Sequence, residues 1–452
     1  MVFKSITPPT GFNNATLARQ KSLKKPVFII NEKARQSIYN GGMTIAVIGA
    51  GASGMAAALQ AAWKGAAVTL FEQNPAVGKK LLVTGSGRCN LTNDAVAPEK
   101  YSCADSAWLD AMLNQFGVSG LLTMLASIGI PAQKTPDGWY YPLSNSAQSV
   151  VEAFASALRQ AGVKVMTLCR VNKLDTSPKS WVIHYIQKDQ PTRLECSQVI
   201  VSAGGAAYPS LGSRGDLFPE LARLGHTVLP NRPALAPLLA DLGFLSALQG
   251  MRLNVGASLW KESQLLSMTS GNLIFTAWGI NGPAVMDLSH HVSAHGGERL
   301  TLSLNLLVYV QEAFDQLLAQ NRNGEMPLRI FLNAFFPPKV SQVYLKQARL
   351  NGEIPLCQVD DRALERLAHL LKDTRLAVKG VRGFEYCQVS AGGVPVNEVD
   401  PHTLESRRVN GLYLTGETLD VVGACGGYNL QFAFSSGVLA GRAAAARCQT
   451  GS

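Results

Sequence analysis

A segment of basic residues and a cysteine, residues 78–93, has the side-chain types from which a reactive site could be built. It holds Lys79, Lys80, Arg88 and Cys89 among glycine and serine positions. Lysine and arginine attract anions, and neighbouring small residues let the backbone approach a ligand closely. The thiol of Cys89 could donate a proton, or it could pack as a small apolar side chain. The segment therefore predicts a loop that faces an anionic ligand, and it leaves both roles of Cys89 open.

A glycine-rich turn nearer the N-terminus predicts a dinucleotide site. Residues 44–48 form a predicted buried strand, and Gly49, Gly51 and Gly54 follow it at the spacing Gly-x-Gly-x-x-Gly. The first glycine permits a tight turn, the second lets a pyrophosphate approach the backbone, and the third lets the next helix pack closely. Glu72 ends the following predicted strand, where its carboxylate would accept a hydrogen bond from a ribose 2′-hydroxyl. The alternative is a turn that is merely rich in glycine.

Two later strand ends favour FAD over a nicotinamide as the resident cofactor. Residues 200–205 form a predicted strand that ends in small residues, and residues 411–417 form another that ends in glycine and glutamate. FAD is long, so the protein must hold both its adenosine end and its flavin end. A simple nicotinamide-dependent dehydrogenase has no need of these strand ends, although they could also be ordinary ends of buried strands.

The elements around these motifs predict an α/β domain that is interrupted by an insert. Strands and helices alternate over residues 43–211, short β-like runs follow over 212–306, and residues 307–377 have a helical pattern. Beyond residue 378 the pattern of strands and glycines returns. We therefore expect a discontinuous nucleotide-binding domain (43–211 and 378–447), a β-rich insert (212–306) and a helical subdomain (307–377).

Composition excludes several classes of protein. The chain has 452 residues, of which 47% are hydrophobic and 16% charged, so it can bury a large core and is not disordered overall. No uninterrupted apolar stretch predicts a membrane span. The eight cysteines lack Cys-x-x-Cys pairs, which predicts neither zinc nor a disulfide framework and favours a cytoplasmic location. No metal site is predicted, because the adjacent His290 and His291 are expected to diverge.

The net charge of +10 raises the possibility of a nucleic-acid partner. Residues 1–42 alone hold seven Lys/Arg and one Glu, and they contribute +6 of that charge. This basic arm could be a targeting segment, an RNA-binding tail, or a segment translated from a start upstream of the true one. We favour the last hypothesis, and we expect the arm to be disordered, because residues 44–48 already supply the first strand.

Three motifs together resemble those of the BaiN/YhiN-like NAD(P)/FAD-dependent flavoproteins, a family of aminoacetone oxidase-like FAD-binding enzymes. They are Gly-Arg-Cys-Asn-Leu-Thr-Asn at 87–93, Ala-Gly-Gly at 203–205 with Tyr-Pro at 208–209, and Gly-Gly-Tyr-Asn at 426–429 with Gln431. The resemblance covers about residues 43–447. It implies a glutathione-reductase-type, Rossmann-like FAD domain with an inserted β-rich domain and a small helical subdomain.

The resemblance also implies the cofactors and the site residues. FAD would be bound, and NAD(P)H would act as a transient reductant. Glu72 and Lys80 would lie near the adenosine ribose, and Arg88 and Cys89 would be catalytic, near the flavin ring. The implied cofactor-binding residues are Gly49, Gly51, Ser53, Gly54, Glu72, Lys80, Asn90, Ala203, Gly204, Gly416, Glu417, Gly427, Tyr428 and Asn429.

The family implies an oxidoreductase, and its members are linked to dihydrouridine formation in ribosomal RNA, to bile-acid reduction and to amine oxidation. Our first hypothesis is reduction of a uracil C5=C6 bond in ribosomal RNA, with Cys89 as proton donor. The rival hypotheses are a small-molecule reductase or oxidase that acts on an enone or an amine, and a flavin-binding protein without turnover. A basic patch across the insert would favour RNA, and a closed apolar pocket would favour a small molecule.

Some positions depart from the family pattern or have a less specific interpretation. Ala277 stands where family members usually have a histidine, a difference that bears on the substrate more than on flavin binding. Cys425 lies at a variable position and is expected to be structural. The aromatic run at 139–141 is expected to lie in the core, with stacking on a base as the alternative.

Overall fold

The computed structural model describes residues 44–177 and 180–450 of the chain. The basic arm, 1–42, lies outside the described residues, so its expected disorder stays a prediction. Among the helices of the described part, none combines the length and the apolar character that a membrane crossing requires.

The strands and helices of the described part follow one another as an α/β pattern, then a β-rich and a helical pattern. The earlier strands are β1 (Thr44–Ile48), β2 (Ala67–Phe71), β3 (Thr92–Asn93), β4 (Tyr101–Cys103), β5 (Ala132–Lys134), β6 (Trp139–Pro142), β7 (Lys164–Met166), β8 (Cys169–Thr176), β9 (Trp181–Gln187), β10 (Gln190–Cys196) and β11 (Gln198–Val201). The later strands are β12 (Leu229–Ala234), β13 (Leu238–Ala240), β14 (Arg252–Lys261), β15 (Gln264–Thr276), β16 (Gly279–Asn281), β17 (Leu300–Asn305), β18 (Thr374–Val381), β19 (Val389–Gly393), β20 (Leu412–Leu414) and β21 (Val421–Gly423). The helices are α1 (Ala52–Trp63), α2 (Ser106–Gln115), α3 (Val118–Ser127), α4 (Ala147–Gln160), α5 (Phe218–Arg223), α6 (Pro283–Met286), α7 (Ser289–Ala294), α8 (Gln311–Asn321), α9 (Leu328–Asn333), α10 (Pro338–Ala348), α11 (Asp361–Lys372) and α12 (Tyr428–Thr450).

A five-stranded parallel sheet, in the order β20-β11-β1-β2-β7, lies at the centre of the nucleotide-binding part. Strands β1, β2, β11 and β20 are mainly apolar and buried, as expected for strands that are covered on both faces, whereas the edge strand β7 is largely exposed. Val47 is fully buried and pairs with Leu70 on one side and Ile200 on the other. This arrangement confirms the Rossmann-type domain that the sequence predicts.

Helices α1 and α12 pack closely because small residues line their contact. A Cβ atom built at Gly437 would lie 2.1 Å from the carbonyl oxygen of Ser53. One built at Gly441 would lie 2.3 Å from the carbonyl oxygen of Ala57. Real Cβ contacts are not this short, so any larger residue would force the two helices apart. The C-terminal helix is thereby held against the helix that follows the glycine-rich turn.

The β-rich part is a closed barrel in the order β13-β16-β15-β14-β17-β18. Its interior is continuous with the apolar faces of α9, α10 and α11, which contribute Phe331, Tyr344 and Leu371 to the same core. Residue 378, where the second part of the nucleotide-binding domain was expected to begin, lies inside β18, which pairs with β13 and β17. Strand β12 pairs with β19 outside the barrel. We propose that the insert runs from β13 to the end of β18.

A buried polar cluster ties the chain after α5 to the segment before β20. The carboxylate of Glu398 contacts His226 Nδ1 at 2.7 Å and accepts hydrogen bonds from Arg408 Nη2 at 2.6 Å and from the backbone N–H of Thr227. Ser406 Oγ lies 2.8 Å from the other ring nitrogen of His226. Burial acts to raise the pKa of Glu398, but these hydrogen bonds outweigh it and hold the pKa at about 2. The cluster is therefore an internal ion pair that depends on pH.

Candidate functional site

A cavity of about 520 Å³ runs along the carboxyl ends of the central strands and reaches the barrel. Ile48 and Phe71, at the ends of β1 and β2, line one part of it, and Pro283 and Met286 of α6 line another. Ligands of open α/β sheets bind at this edge, and the volume is typical of a small-molecule site. The cavity is therefore our candidate site.

The glycine-rich turn forms one wall of the cavity. Gly49 has φ +98°, and a Cβ atom there would lie 2.4 Å from the carbonyl oxygen of Ser202. A Cβ atom at Gly54 would lie 1.8 Å from the carbonyl oxygen of Gly49, whereas one at Gly51 would meet nothing within 4 Å. Helix α1 has no side-chain cap and no acidic residue in its first turn. Its first backbone N–H groups are therefore suited to bind a phosphate group.

Glu72 is buried at the end of β2 and lines the same part of the cavity. One of its oxygens accepts a hydrogen bond from the backbone N–H of Ala50 at 2.9 Å. The other accepts two from Asn74, both at 2.8 Å. A carboxylate can accept about four hydrogen bonds, so Glu72 keeps acceptor capacity for a ribose hydroxyl.

Lys80 and Glu417 form an ion pair that crosses the cavity wall. Lys80 Nζ lies 2.5 Å from Glu417 Oε2, and both side chains are largely buried. The second carboxylate oxygen accepts hydrogen bonds from the backbone N–H and the hydroxyl of Ser390, at 2.8 and 2.9 Å. The family resemblance implied that Lys80 and Glu72 both lie near the adenosine ribose. The structure instead pairs Lys80 with a residue from the end of the last strand of the central sheet.

The far end of the cavity is formed by the start of α12. Gly427 has φ +98°, and a Cβ atom there would lie 2.6 Å from the carbonyl oxygen of Thr92 and 2.8 Å from the side-chain amide of Asn90. The Asn429 side chain accepts from the backbone N–H of Gly423 at 2.8 Å and donates to its carbonyl oxygen at 2.7 Å. The Asn429 hydrogen bonds fix the loop before α12, and the close approach of Gly427 to Thr92 places this loop beside the segment around Asn90.

The structure brings most of the predicted site residues to this one cavity. Gly54, Gly416 and Tyr428 are not part of the lining, although Gly54 lies against Gly49 and Gly416 lies against Ser53, which are. The predicted residues that line the cavity are Gly49, Gly51, Ser53, Glu72, Lys80, Arg88, Asn90, Ala203, Gly204, Glu417, Gly427 and Asn429.

Cys89 is a correction to the predicted catalytic set. Its side chain is fully buried, and the residue is not part of the cavity lining. The backbone at Cys89 has φ +61°, which turns the side chain into the core of the nucleotide-binding domain. Burial raises the pKa of the thiol to about 12, and a hydrogen bond with Thr84 only partly opposes this. The geometry therefore matches the packing role, not proton donation into the cavity.

Arg88 and two aromatic residues form a wall near the far end. The Arg88 guanidinium lies 4.6 Å from the centre of the Tyr141 ring, and its Nη2 donates to the phenol oxygen at 3.4 Å. Trp139 also lines the cavity, and its indole nitrogen would lie 3.1 Å from a Cβ atom at Gly426. The aromatic run was expected to lie in the core, but Trp139 and Tyr141 face the cavity.

The side of the cavity that the insert forms, and the contact between Cys425 and Asp287 there, were not predicted from the sequence. The backbone N–H of Cys425 donates to Asp287 Oδ1 at 2.7 Å, and Cys425 lines the cavity. Burial raises the pKa of both side chains. The position of Cys425 directly before the Gly-Gly-Tyr-Asn motif was the available signal, whereas Asp287 is 138 positions away.

The expectation that His290 and His291 diverge is wrong. Their ring centres lie only 4.1 Å apart within the short helix α7. Burial lowers the pKa of His290 to about 4, so this ring is neutral at neutral pH. Within 44–177 and 180–450, no cluster of three or more His, Cys, Asp or Glu side chains could hold a metal ion.

Comparison with known proteins identifies the family. The model of the HI0933-like protein Rossmann domain matches residues 43–443. The chain is 37% identical over 412 residues to a 3-dehydro-bile acid delta(4,6)-reductase of Clostridium scindens, an alignment that covers 89% of this chain and 99% of the relative. It is 28% and 29% identical over 392 residues to ribosomal RNA dihydrouridine synthases of Haemophilus influenzae and Escherichia coli, with 86% of this chain and 95% of each relative covered.

A solved structure shows that the fold is shared more widely. The 3-ketosteroid delta1-dehydrogenase of Sterolibacterium denitrificans aligns with a TM-score of 0.51 at 12% identity, covering 89% of this chain and 100% of the other. The chain therefore belongs to the HI0933-like Rossmann family, and it is an FAD-dependent oxidoreductase.

Proposed function

We propose that this enzyme reduces a carbon–carbon double bond conjugated with a carbonyl group, and that its substrate is a uracil of ribosomal RNA. In uracil the C5=C6 bond is conjugated with the C4 carbonyl, so hydride addition at C6 moves negative charge onto O4. The main observation that supports this proposal is the position of Arg88. Its guanidinium lines the cavity, and no carboxylate lies within 4.0 Å of it among the described residues. A cation held in this way stabilises an enolate oxygen.

The residues around the cavity fit FAD along its length. The start of α1 at Gly51 would bind the pyrophosphate, and Glu72 would bind the adenosine ribose. Lys80 and Glu417 would contact the chain between the two ends, and Gly427 would present the start of α12 to the flavin ring. Bound FAD, once reduced by NAD(P)H, supplies the hydride.

The protein's own side chains would orient the substrate and exclude water. Trp139 and Tyr141 offer aromatic faces on which a planar ring can stack. Pro283 and Met286 cover the cavity from the barrel side with apolar surface. A uracil within RNA would have to leave its base stack to reach this place.

Unpaired cations around the cavity support an RNA substrate. Four basic side chains in its lining have no carboxylate within 4.0 Å in the described part of the chain. The cofactor pyrophosphate would occupy some of them, and the remainder suit phosphates of an RNA backbone. They are Lys79, Arg88, Arg170 and Arg214.

A small enone is the second candidate substrate. The barrel and its helices, residues 238–381, hold 13 Lys/Arg and 12 Asp/Glu, so the insert as a whole has almost no net charge to attract RNA. The bile-acid reductase relative is more similar to this chain, at 37% identity, than the two ribosomal RNA dihydrouridine synthases are. Hydride addition to an enone also produces an enolate, so Arg88 would have the same role.

Nucleoside mass spectrometry of ribosomal RNA tests the proposal. A strain without the gene should lack one dihydrouridine, the wild-type gene should restore it, and Arg88→Gln should restore much less. Arg375→Gln is the matched control, because Arg375 is exposed on β18 and paired with Asp373 outside the cavity. Unchanged dihydrouridine in the deletion strain would exclude the RNA substrate. Anaerobic oxidation of the reduced protein by a 3-oxo-4-ene steroid would then support the second candidate.

A further inference from the structure

An arginine and two aromatic side chains meet where the insert joins the nucleotide-binding part. The guanidinium carbon of Arg382 lies 3.3 Å from the ring centre of Tyr386 and 4.6 Å from that of Trp278. Trp278 belongs to the turn between β15 and β16, whereas Arg382 and Tyr386 belong to the segment between β18 and β19. These three side chains are called the arginine–aromatic cluster below.

Backbone hydrogen bonds fix the arginine–aromatic cluster next to the cavity wall. The carbonyl oxygen of Phe384 accepts the backbone N–H of Tyr208, a residue that lines the cavity, at 2.9 Å. The backbone N–H of Arg382 donates to the carbonyl oxygen of Pro237 at 2.9 Å, in the segment that continues from the lining residue Leu235. The three side chains of the cluster are not part of the lining. The cluster therefore lies beside the cavity and not inside it.

The Arg382 guanidinium keeps its capacity to bind an anion. In the part of the chain that the structure describes, it has no carboxylate within 4.0 Å and donates no side-chain hydrogen bond. A guanidinium has five N–H donors in one plane and binds a phosphate through two of them. The Tyr386 side chain is 50% exposed, so part of its ring is open to a planar ligand. The cluster therefore offers donors for a phosphate and an aromatic face side by side.

We propose that the arginine–aromatic cluster binds the RNA nucleotide next to the target uridine, with its phosphate on Arg382 and its base stacked on Tyr386. The inference rests on the proposed reduction of a uracil in ribosomal RNA, and it names the surface that holds the strand. When the target base leaves its stack, the neighbouring base loses a stacking partner. An aromatic ring beside an arginine replaces that partner, as in other proteins that bind unpaired RNA.

The charges near the cluster favour a strand with several phosphates. Arg214 lines the cavity, and its Nε donates to the carbonyl oxygen of Pro209, directly after Tyr208, at 3.2 Å. A second cation without a carboxylate within 4.0 Å among the described residues therefore lies along this part of the wall. One acid, Glu385, is exposed in the same turn as Tyr386. Its charge opposes an anion, so Glu385→Gln should bind RNA more tightly than the wild type.

Fluorescence anisotropy of the FAD-loaded protein with a labelled oligouridylate of about 10 nucleotides measures this surface without turnover. Tyr386→Leu should weaken binding by about 5- to 150-fold, as for the loss of one stacked base, and leave its salt dependence unchanged. Arg382→Gln should also weaken binding, and it should reduce the slope of log Kd against log salt by about 0.7, the value for one phosphate of a single strand. Each variant should keep the wild-type FAD content and Tm.

Two variants of the insert are matched controls for these substitutions. Tyr309→Leu removes a tyrosine that is 56% exposed, and Arg375→Gln removes an exposed arginine that is paired with Asp373. Neither residue belongs to the cluster or to the cavity lining. Both variants should bind the oligouridylate as the wild type does.

Wild-type affinity in either Arg382→Gln or Tyr386→Leu, or an equal loss in the controls, would overturn the proposal. Slower reduction of the flavin by NAD(P)H in Arg382→Gln would also overturn it, because the cluster would then bind the phosphates of the reductant. The deletion strain separates this failure from failure of the proposed function. If dihydrouridine is lost there while the cluster variants bind like the wild type, only the role of the cluster is refuted. If dihydrouridine is unchanged there, the RNA substrate itself is refuted.

Discussion

Alanine at Gly51 should weaken FAD binding, whereas alanine at Gly54 should lower folding stability, although the two glycines belong to one turn. Gly51 lines the cavity, and a Cβ atom there meets no protein atom within 4 Å. Its φ of −78° suits any residue, so the folded protein can accept Gly51→Ala without strain. A Cβ atom at Gly54 would instead lie 1.8 Å from the carbonyl oxygen of Gly49, which cannot move without opening the turn.

The size of each effect follows from where the methyl group goes. In Gly51→Ala it occupies space that the FAD pyrophosphate would fill, and an overpacked contact costs about 1 to 3 kcal/mol. Because 1.4 kcal/mol is a factor of ten in affinity, FAD should bind about 5- to 150-fold more weakly. In Gly54→Ala the clash is within the protein, so the same range or more is lost from folding stability itself.

Equilibrium dialysis against FAD and thermal unfolding distinguish the two variants. Gly51→Ala should lose FAD on dilution and recover the wild-type Tm when FAD is added in large excess, because a ligand that binds the folded state stabilises it by mass action. Gly54→Ala should keep a low Tm at every FAD concentration. Wild-type FAD affinity in Gly51→Ala would refute the placement of the pyrophosphate at this turn. A wild-type Tm in Gly54→Ala would refute the close contact with Gly49.

Four further predictions follow from other parts of the structure. Cys89→Ala should lower the free energy of unfolding by about 1 kcal/mol, as for loss of a small buried side chain, and leave turnover per bound flavin unchanged; a slower oxidative half-reaction would restore Cys89 to the mechanism. Glu417→Gln and Lys80→Met should each weaken FAD binding, and the double variant should lose less binding free energy than the two single variants together. Strict additivity in the double-mutant cycle would show that the ion pair is not formed. Glu398 has a pKa of about 2 in the folded protein, against an ordinary value of 4.5. Its contribution to folding stability is therefore present above pH 4.5 and is lost as the pH falls toward 2. The free energy of unfolding measured in urea should vary less over this pH interval in Glu398→Gln than in the wild type. Protein without residues 1–42 should keep the same flavin content and Tm, and an insoluble or flavin-free product would show that the arm is structural.

The sequence alone was sufficient for the features that depend on neighbouring residues. The tight turn at Gly49 and the close packing at Gly54 require glycine for local steric reasons, so the spacing of glycines predicted both the turn and the helix that follows. The run of apolar residues in β1 predicted a strand buried on both faces, and the Rossmann-type fold is confirmed. The residue at which helix α1 begins, Ala52, was not specified by the glycine spacing, because the ends of helices depend on capping contacts.

Only the tertiary structure decided which distant residues share the cavity wall. Lys80 meets Glu417 across 337 positions, and Asp287 meets Cys425 across 138, because the central sheet places β20 beside β11, one strand away from β1, and the insert places α6 in the cavity wall. The direction of a side chain is likewise a tertiary property. Cys89 follows Arg88 directly, yet the left-handed backbone at Cys89 turns the thiol into the core while the guanidinium faces the cavity. Residue types and spacing therefore predicted the cofactor class and the fold, whereas the choice of which side chains line the cavity depends on backbone conformation and long-range packing.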